Sequence, residues 1–335
     1  MFRCSNFRFS SLLLLVSLIF ISCNNRQPES SGKLTDIQII TDETVTGSQK
    51  GIVDSVISTV SLDGMSEPFF ESVTFIKQNF DKTPSGKNLL IFLRTSSSLM
   101  NQRFKSIFSD EVISRAEKGS EPVIIRKENL FFNGQTVWFL IYGRGFNLDS
   151  FLTSSSVSLI QKIKDNCLST FRSEKKPEKY EKEISDSVKL IHGIDFKIPI
   201  GFEAALPLNK KGFSLLRRGA GTKTEEWILI AEITDTISNY DTSQIIKIRD
   251  VVIPKAIVYR DGSVMKTGRL LLDSIIINSF RGEWTTSPYP MAGVFTGRIL
   301  KLGTKVFYVE AGIYSPGRPK TLNLLRLENM IRNLP

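Results

Sequence analysis

The fold class of this chain is decided by the stretch Lys305-Val-Phe-Tyr-Val-Glu-Ala-Gly-Ile-Tyr314 and, after a turn, Thr321-Leu-Asn-Leu-Leu-Arg-Leu-Glu-Asn-Met-Ile-Arg332. The first stretch is rich in β-branched and aromatic residues and predicts a strand. The second places Leu324, Leu327 and Ile331 on one face at helical spacing and predicts a final helix. The end of the chain therefore indicates a sheet that is packed by helices.

Further strand candidates precede this stretch and surround one helical segment. The strand candidates are Phe213 to Arg217, Trp227 to Thr234 and Leu270 to Thr285. The helical segment runs from Ser243 to Val258, and Pro254 bends or ends it. Strands that follow one another, with helices at the ends, favour an antiparallel α+β layer over a parallel doubly wound sheet.

The first half of the chain mixes strands and helices in the same way. Its clearest element is a β-hairpin, because Asn133-Gly134 lies between two β-rich runs. A helix that contains Cys167 follows the hairpin and closes this half. The other predicted elements are a strand from Asp36 to Thr41, a helix around Ile52 to Val60, and a strand from Asn88 to Arg94.

The length and the charge pattern predict two domains. Residues 173–189 are dense in both charge signs and predict a charged linker that passes into a helix, with the boundary near Pro177. We therefore predict an α+β protein with an N-terminal domain at 35–172 and a C-terminal domain at 190–335. Each is expected to be a mainly antiparallel sheet packed by helices, with an α/β sandwich as an option for the second.

The N-terminus has the features of an exported precursor. Arg3 and Arg8 precede an apolar run from Phe9 to Ile21, and Ser22 stands before Cys23. Phe20-Ile-Ser-Cys23 resembles the bacterial lipobox, in which the cysteine is acylated and becomes the mature N-terminus. We predict a signal peptide at 1–22, lipid attachment at Cys23 and a tether at 23–34. The alternatives are an ordinary secretory signal and a spanning helix, which would need about 20 apolar residues.

Removal of residues 1–22 lowers the formal charge from +10 to +8 and leaves Cys167 and Cys23 as the mature cysteines. No intramolecular disulfide is expected. The excess of lysine and arginine over acidic residues indicates attraction to anionic lipid headgroups, lipopolysaccharide phosphates or acidic wall polymers rather than to nucleic acid. No run of acids follows Cys23, so we expect a protein anchored in the outer membrane and facing the periplasm.

The sequence shows little catalytic chemistry. His192 is the only histidine and lies at a probable helix end, so we expect no catalytic residue, metal or cofactor. Ser173-Glu-Lys-Lys176 has the spacing of Ser/Lys hydrolases but lies in a charge run. A glycosidase would need two carboxyl groups in one cleft. Glu225 and Glu226 are poor candidates because they point to opposite faces of a strand. Asp250 and Glu283 could form such a pair only if the fold brings them together.

A contact surface is the best available site hypothesis. Arg217, Arg218, Arg281 and Trp284 flank predicted strand ends in the second half. They could face an envelope protein, an anionic lipid or a glycan. The alternative is a solvated sheet rim with Trp284 in the core.

Several stretches of the second half resemble an uncharacterised family of Bacteroidota lipoproteins, a domain of unknown function. They are Phe213-Ser-Leu-Leu-Arg-Arg218, Trp227-Ile-Leu-Ile-Ala231, Arg249-Asp250, Arg281-Gly-Glu-Trp284, Met291-Ala-Gly-Val-Phe295 and Tyr314-Ser-Pro316. Asn88-Leu-Leu-Ile91 and Asn133-Gly-Gln135 in the first half are also similar, so the resemblance covers most of the mature chain. The resemblance implies a location in the cell envelope and brings no assigned activity, cofactor or catalytic residue. The order of elements is also similar to the small α/β sandwiches of photosystem-assembly and Ran-binding Mog-type proteins.

We therefore expect a membrane-anchored envelope lipoprotein with a non-catalytic binding, scaffolding or assembly role. The competing hypothesis is an envelope hydrolase that acts on glycans through carboxylates dispersed in the sequence.

Overall fold

The computed structural model describes residues 27–63, 65–76, 83–173, 179–208, 212–234, 240–259, 261–274 and 276–335. The predicted signal peptide, Cys23 and Pro177 lie outside the described residues, as do three residues of the Ser-x-x-Lys motif, 174–176. Within the described ranges the chain forms two sheets and the helices that pack on them, which confirms the α+β class.

The first sheet has five strands in the order β2-β1-β3-β5-β4. Its strands are β1 (Asp36–Thr41), β2 (Ser72–Ile76), β3 (Asn88–Arg94), β4 (Val123–Glu128) and β5 (Thr136–Tyr142). Its helices are α1 (Gly47–Thr59), α2 (Asp110–Lys118), α3 (Leu148–Ser154) and α4 (Ser156–Ser173). A π-helical turn, Met100–Phe104, and a 3-10 turn, Lys105–Ile107, precede α2.

The expectation of a mainly antiparallel sheet is wrong for this first sheet. Strands β2, β1, β3 and β5 are parallel, and only the predicted hairpin partner β4 runs antiparallel, to β5. Helix α1 carries the chain from β1 back to the start of β2, which makes that pair parallel. Strands β3 and β5 are buried along almost their whole length because helices cover both faces, and this explains their continuous apolar runs.

The second sheet has seven antiparallel strands in the order β6-β7-β8-β12-β11-β10-β9. The strands are β6 (Glu203–Ala204), β7 (Phe213–Arg218), β8 (Glu225–Ile233), β9 (Val264–Leu272), β10 (Ser279–Ser287), β11 (Ala292–Leu302) and β12 (Lys305–Tyr314). The helices are α5 (Lys182–His192), α6 (Thr242–Ala256) and α7 (Thr321–Arg332). The predicted strand from Leu270 to Thr285 is wrong as a single element, since it is the hairpin between β9 and β10.

Helices α6 and α7 cover opposite faces of this sheet. Leu324 of α7 and Ile228 of β8 belong to one buried cluster, whereas Ile253 of α6 and Leu229 of β8 belong to another. Ile228 and Leu229 point to opposite faces because they are neighbours in a strand. The core on the α7 face continues into the first sheet and includes Ile37 of β1. The two sheets therefore share one hydrophobic core; the predicted domain boundaries stay a prediction.

On the α6 face, aromatic rings lie over glycines of the neighbouring strand. The indole of Trp227 occupies the space where a Cβ of Gly312 would stand, and the indole of Trp284 does the same at Gly293. Phe295 covers Gly282 in the same way. The glycines and aromatic residues of the Arg281–Trp284 and Met291–Phe295 stretches thus have a packing role, which gives a structural reason for that combination.

The first turn of α7 is capped by residues from the other half of the chain. The side chain of Lys320, at the N-cap position, makes no capping hydrogen bond to the helix. Instead, the backbone N–H of Leu322 donates to Oε1 of Glu71 at 3.0 Å, and the N–H of Lys320 donates to Oε2 of Glu67 at 3.2 Å. Carboxylates at this end complement the helix dipole and the free N–H groups.

Candidate functional site

A groove of about 770 Å³ lies between the first sheet and the outer side of α7. We call it the basic groove. Its walls come from residues before β1, before β3, at the end of α4, after α5 and along α7. The lining residues are Gly32, Lys33, Leu34, Lys87, Phe171, Tyr180, Asp195, Phe196, Lys197, Leu322, Arg326, Asn329, Met330, Asn333 and Leu334.

The groove lies where the parallel strands of the first sheet begin. Lys33 comes shortly before β1, and Lys87 comes directly before β3. Parallel β1 and β3 bring these two lysines to the same edge of the sheet. Arg326 is on the exposed face of α7, because Leu324 and Leu327 turn the opposite face into the core.

Four cationic side chains, at Lys33, Lys87, Lys197 and Arg326, line the groove against one described carboxylate, Asp195. Nζ of Lys33 donates to Glu71 at 2.9 Å, and this hydrogen bond and the charge of Glu71 raise the pKa of Lys33. Asp195 lies 3.6 Å from Nζ of Lys189, outside the lining. The groove therefore has a net positive charge.

Two of these cations are available to a ligand. Arg326 is exposed and makes no hydrogen bond or ion pair with the rest of the described chain. Nζ of Lys197 lies 5.6 Å from the ring centroid of Tyr180, a cation–π contact that leaves its N–H groups open to solvent. Both groups could donate to an anion without breaking an ion pair.

The floor of the groove is apolar. Leu34, Phe196 and Leu334 are buried there, and Phe171 and Met330 are half-buried. A smaller recess of about 220 Å³ adjoins the groove, since both are lined by Arg326 and Met330. An apolar floor with cations at the rim suits a ligand that has an anionic head and an apolar body.

The structure does not bring the four predicted contact residues onto one surface. Arg217 and Arg218 are neighbours in β7 and point to opposite faces, where their guanidinium groups bind Glu225 and Glu226, respectively. Arg218 lies in the recess beside the basic groove, and its guanidinium is 4.7 Å from the ring of Phe202.

The other two predicted contact residues are turned inward. Arg281 donates to Glu328 of α7 at 2.7 Å, and its side chain is only 11% exposed. Trp284 is 1% exposed, so it lies in the core, as in the alternative interpretation. The prediction of a common surface was wrong for Trp284 because its row of the sheet faces α6.

Three side chains of types that can take part in catalysis have structural contacts. Nε2 of His192 lies 2.7 Å from Oγ of Ser214, and burial lowers the pKa of the imidazole. Burial raises the pKa of the Cys167 thiol to about 12, and the thiol donates to Oδ1 of Asn88. Glu283 accepts from the N–H of Ser66 at 2.6 Å.

No group of three or more His, Cys, Asp or Glu side chains within the described ranges could hold a metal ion. Similarly, none of the helices that the structure describes is long and apolar enough to cross a membrane.

The carboxyl ends of the parallel strands, where open α/β sheets usually bind ligands, are filled by the protein's own contacts. Asp42 follows β1 and accepts hydrogen bonds from Thr44 and from the N–H of Arg94. Glu43 accepts from the N–H of Ser98 at 2.8 Å. The basic groove at the opposite edge is therefore the better candidate site.

No pattern in the sequence predicts the basic groove. Lys33 lies in the predicted tether, Lys197 in the stretch Phe196-Lys-Ile-Pro199, and Arg326 on the polar face of the last helix. The amphipathic pattern of α7 could have placed Arg326 on a surface, but nothing in the sequence shows which strand ends lie beside it.

Comparison with known proteins connects the second half of the chain to a family without an assigned function. Residues 181–333 match the family model described as Domain of unknown function (DUF4837), which confirms the resemblance to an uncharacterised domain family. No curated protein matches the chain.

Two solved structures show weak similarity to the chain. The Ran-binding protein Mog1p of Saccharomyces cerevisiae has 14% identity over 43% of this chain and 92% of its own, with a TM-score of 0.30. LpqN, involved in cell envelope biogenesis of Mycobacterium tuberculosis, has 12% identity over 47% of this chain and 96% of its own, with a TM-score of 0.26. TM-scores of 0.30 and 0.26 are too low to support a functional relationship.

Proposed function

We propose that the protein is a non-catalytic lipoprotein of the cell envelope that binds phosphate-bearing lipids in the basic groove. The observation that carries this proposal is the combination of four cations at the rim with an apolar floor. Cations attract the phosphate, and buried methylenes of the lipid gain about 0.8 kcal/mol per CH₂. The groove suits both parts of such a ligand.

The predicted anchor would hold the groove close to a membrane. Residues 29–31 of the predicted tether already contact the first sheet, where the N–H of Ser30 donates to the carbonyl of Asn133 at 2.8 Å. Glu29 is six positions after Cys23, and an extended chain of that length spans about 20 Å. Gly32 and Lys33, just beyond this point, line the groove.

Lipid binding fits the groove better than glycan hydrolysis does. Glycosidases need two carboxyl groups about 5 to 10 Å apart in one cleft. The described lining of the basic groove has one, Asp195, and an excess of cations. We therefore favour a binding role at an anionic surface, where each lysine or arginine contributes about 1 kcal/mol.

Vesicle co-sedimentation tests the proposal. The mature chain with Cys23→Ser, which has no acyl anchor, is mixed with vesicles of phosphatidylglycerol or of phosphatidylcholine. We expect binding to the anionic vesicles and a loss of about 10-fold or more in the variant Lys197→Ala/Arg326→Ala, since two charges are removed. The matched control is Lys118→Ala/Lys127→Ala, two exposed lysines outside the groove. Equal losses in both variants would reject the groove as the site.

A soluble probe distinguishes the contribution of the lipid headgroup to binding from that of the acyl chains. Short-chain phosphatidylglycerol below its micelle concentration should bind more tightly than inorganic phosphate, because only the lipid contacts Phe196 and Leu334. Equal affinity for the two probes would mean that the apolar floor is not used.

The anchor itself is tested by fractionation of wild type and Cys23→Ala, with mass spectrometry of the mature N-terminus. Wild type should carry acyl groups and sediment with membranes. A variant that still sediments, beside a wild type without acyl groups, would contradict the lipoprotein assignment.

A further inference from the structure

A second cavity, of about 370 Å³, lies on the α6 face of the seven-stranded sheet, opposite the basic groove. This volume is within the range of small-molecule sites. The lining residues are Ala205, Leu206, Leu215, Arg217, Glu225, Trp227, Lys255, Ala256, Ile257, Val258, Tyr259, Met291 and Tyr314. We call it the aromatic cavity.

The sheet supplies one wall of the cavity and the segment after α6 supplies the other. Arg217 and Trp227 are paired across β7 and β8, and Glu225 and Tyr314 are paired across β8 and β12. These four side chains therefore lie in two adjacent rows on one face of the sheet. Tyr259, in the segment after α6, closes the cavity from above.

The polar part of the wall offers both donors and acceptors. Nε of Arg217 donates to Oε1 of Glu225 at 2.7 Å, and the second guanidinium contact goes to the same oxygen. Oε2 of Glu225 accepts no hydrogen bond from the side chains that the structure describes, so it can accept one from a ligand. Burial, and then the charge of Glu225, raise the pKa of Tyr259 to about 12, so its hydroxyl stays protonated.

The apolar part of the wall combines aromatic and aliphatic side chains. The aromatic lining residues are Trp227, Tyr259 and Tyr314, and the aliphatic ones include Leu206, Leu215, Ile257 and Met291. The Nε1–H of Trp227 is buried and has no hydrogen-bond partner within the described part of the chain. Aromatic rings with polar tips suit a ligand that is itself apolar on one face and polar at its edge.

We infer that the aromatic cavity binds an uncharged saccharide of one or two rings. A pyranose ring presents C–H groups that pack on aromatic rings and hydroxyls that both donate and accept. The ion pair of Arg217 and Glu225 cancels in charge inside the cavity. The third charged lining residue, Lys255, is exposed, so its ammonium group can stay in water at the rim and leave the interior to a neutral ligand. An acyl chain would cover this ion pair without satisfying its free oxygen, which costs free energy.

This inference is independent of the proposed lipid function, because it concerns the other face of the sheet. The test uses the mature chain with Cys23→Ser, screened on an array of uncharged mono- and disaccharides, and then titrated with the strongest sugar while tryptophan fluorescence is followed. We expect saturable binding and a change in emission, since Trp227 lines the cavity.

Three variants test whether the sugar lies in the aromatic cavity. Glu225→Gln and Tyr259→Phe each remove a hydrogen-bonding group with little change in shape and should weaken binding at least about fivefold. Tyr289→Phe is the matched control, because Tyr289 is 58% exposed and lies outside the cavity; it should bind like wild type. Circular dichroism checks that each variant folds.

Absence of binding to every sugar on the array would overturn the inference. Sugar binding that all three variants retain would also overturn it, because the sugar would then lie elsewhere. Binding of a fluorescent fatty acid that the sugar cannot displace, and that needs Trp227 and Leu215, would assign the cavity to acyl chains instead.

Discussion

The buried ion pair of Arg249 and Glu310 is expected to fix helix α6 on the sheet. Both side chains are 0% exposed. Nε of Arg249 donates to Oε2 of Glu310 at 2.9 Å, and Nη2 donates to Oε1 at 3.1 Å. The guanidinium also lies 4.1 Å from the ring centroid of Phe295, and Tyr308 donates to the same carboxylate. Removal of one partner would leave the other charge buried.

We predict that Arg249→Met and Glu310→Leu each lower the free energy of unfolding by about 3–5 kcal/mol. The double variant should be no less stable than either single variant, because two apolar side chains replace the two charges together. It should still lose about 1–3 kcal/mol relative to wild type, since the buried Tyr308 hydroxyl then has no carboxylate to donate to.

Equilibrium unfolding in urea at 25 °C measures these differences, with far-UV circular dichroism and tryptophan fluorescence as two probes. A loss below about 1 kcal/mol in either single variant would mean that the remaining charge reaches water. A double variant whose loss equals the sum of the two single losses would show that the two residues do not act as a pair, and the reasoning from a buried pair would be wrong.

Three further changes test the packing, the helix cap and the buried histidine. Gly312→Ala should cost about 1–3 kcal/mol because its methyl group meets the indole of Trp227, whereas Gly145→Ala, which meets no neighbour, should change stability by less than about 0.5 kcal/mol; equal effects would contradict the aromatic–glycine packing. Glu71→Ala should cost about 1–2 kcal/mol through loss of the hydrogen bond to the N–H of Leu322 in α7, and part of this loss should shrink in high salt, because the ion pair with Lys33 and the interaction with the helix dipole are lost as well. Burial lowers the pKa of His192 in the folded state, so its contribution to stability is present above about pH 6.5 and is lost as the pH falls below it, by at most about 1.4 kcal/mol per unit. Thermal unfolding between pH 5.5 and 7.5 should show a shallower slope in His192→Gln, and an unchanged slope would refute this.

Many elements of the fold could be predicted from local patterns. The strands at Asp36–Thr41, Asn88–Arg94 and Lys305–Tyr314 and the helix at Thr321–Arg332 have the predicted bounds. These elements are predictable because each one buries a full face of a strand or a stripe of a helix, and the spacing of its apolar residues follows that face or stripe. The edge strand β9 alternates between exposed and buried positions and was partly missed.

The basic groove and the aromatic cavity could not be predicted. Lys33 and Arg326 are far apart in the sequence, and they meet only because α7 packs beside the start of β1. Glu225 was considered with its neighbour Glu226, yet its partner in space is Arg217 on the next strand. Sequence spacing gives the face of a strand on which a residue lies and not the residues beside it.

Local sequence patterns are sufficient to predict the α+β class, the helix α7, the hairpin at Asn133-Gly134 and an anchor at Cys23, since these depend on periodicity, turn residues and a short signal. Three features depend on the folded chain: the first sheet is mostly parallel, Trp284 is buried, and the cations of the basic groove share one site. The physical reason is that strand direction and side-chain neighbours are set by long-range packing in one shared core, for which no residue alone carries a signal.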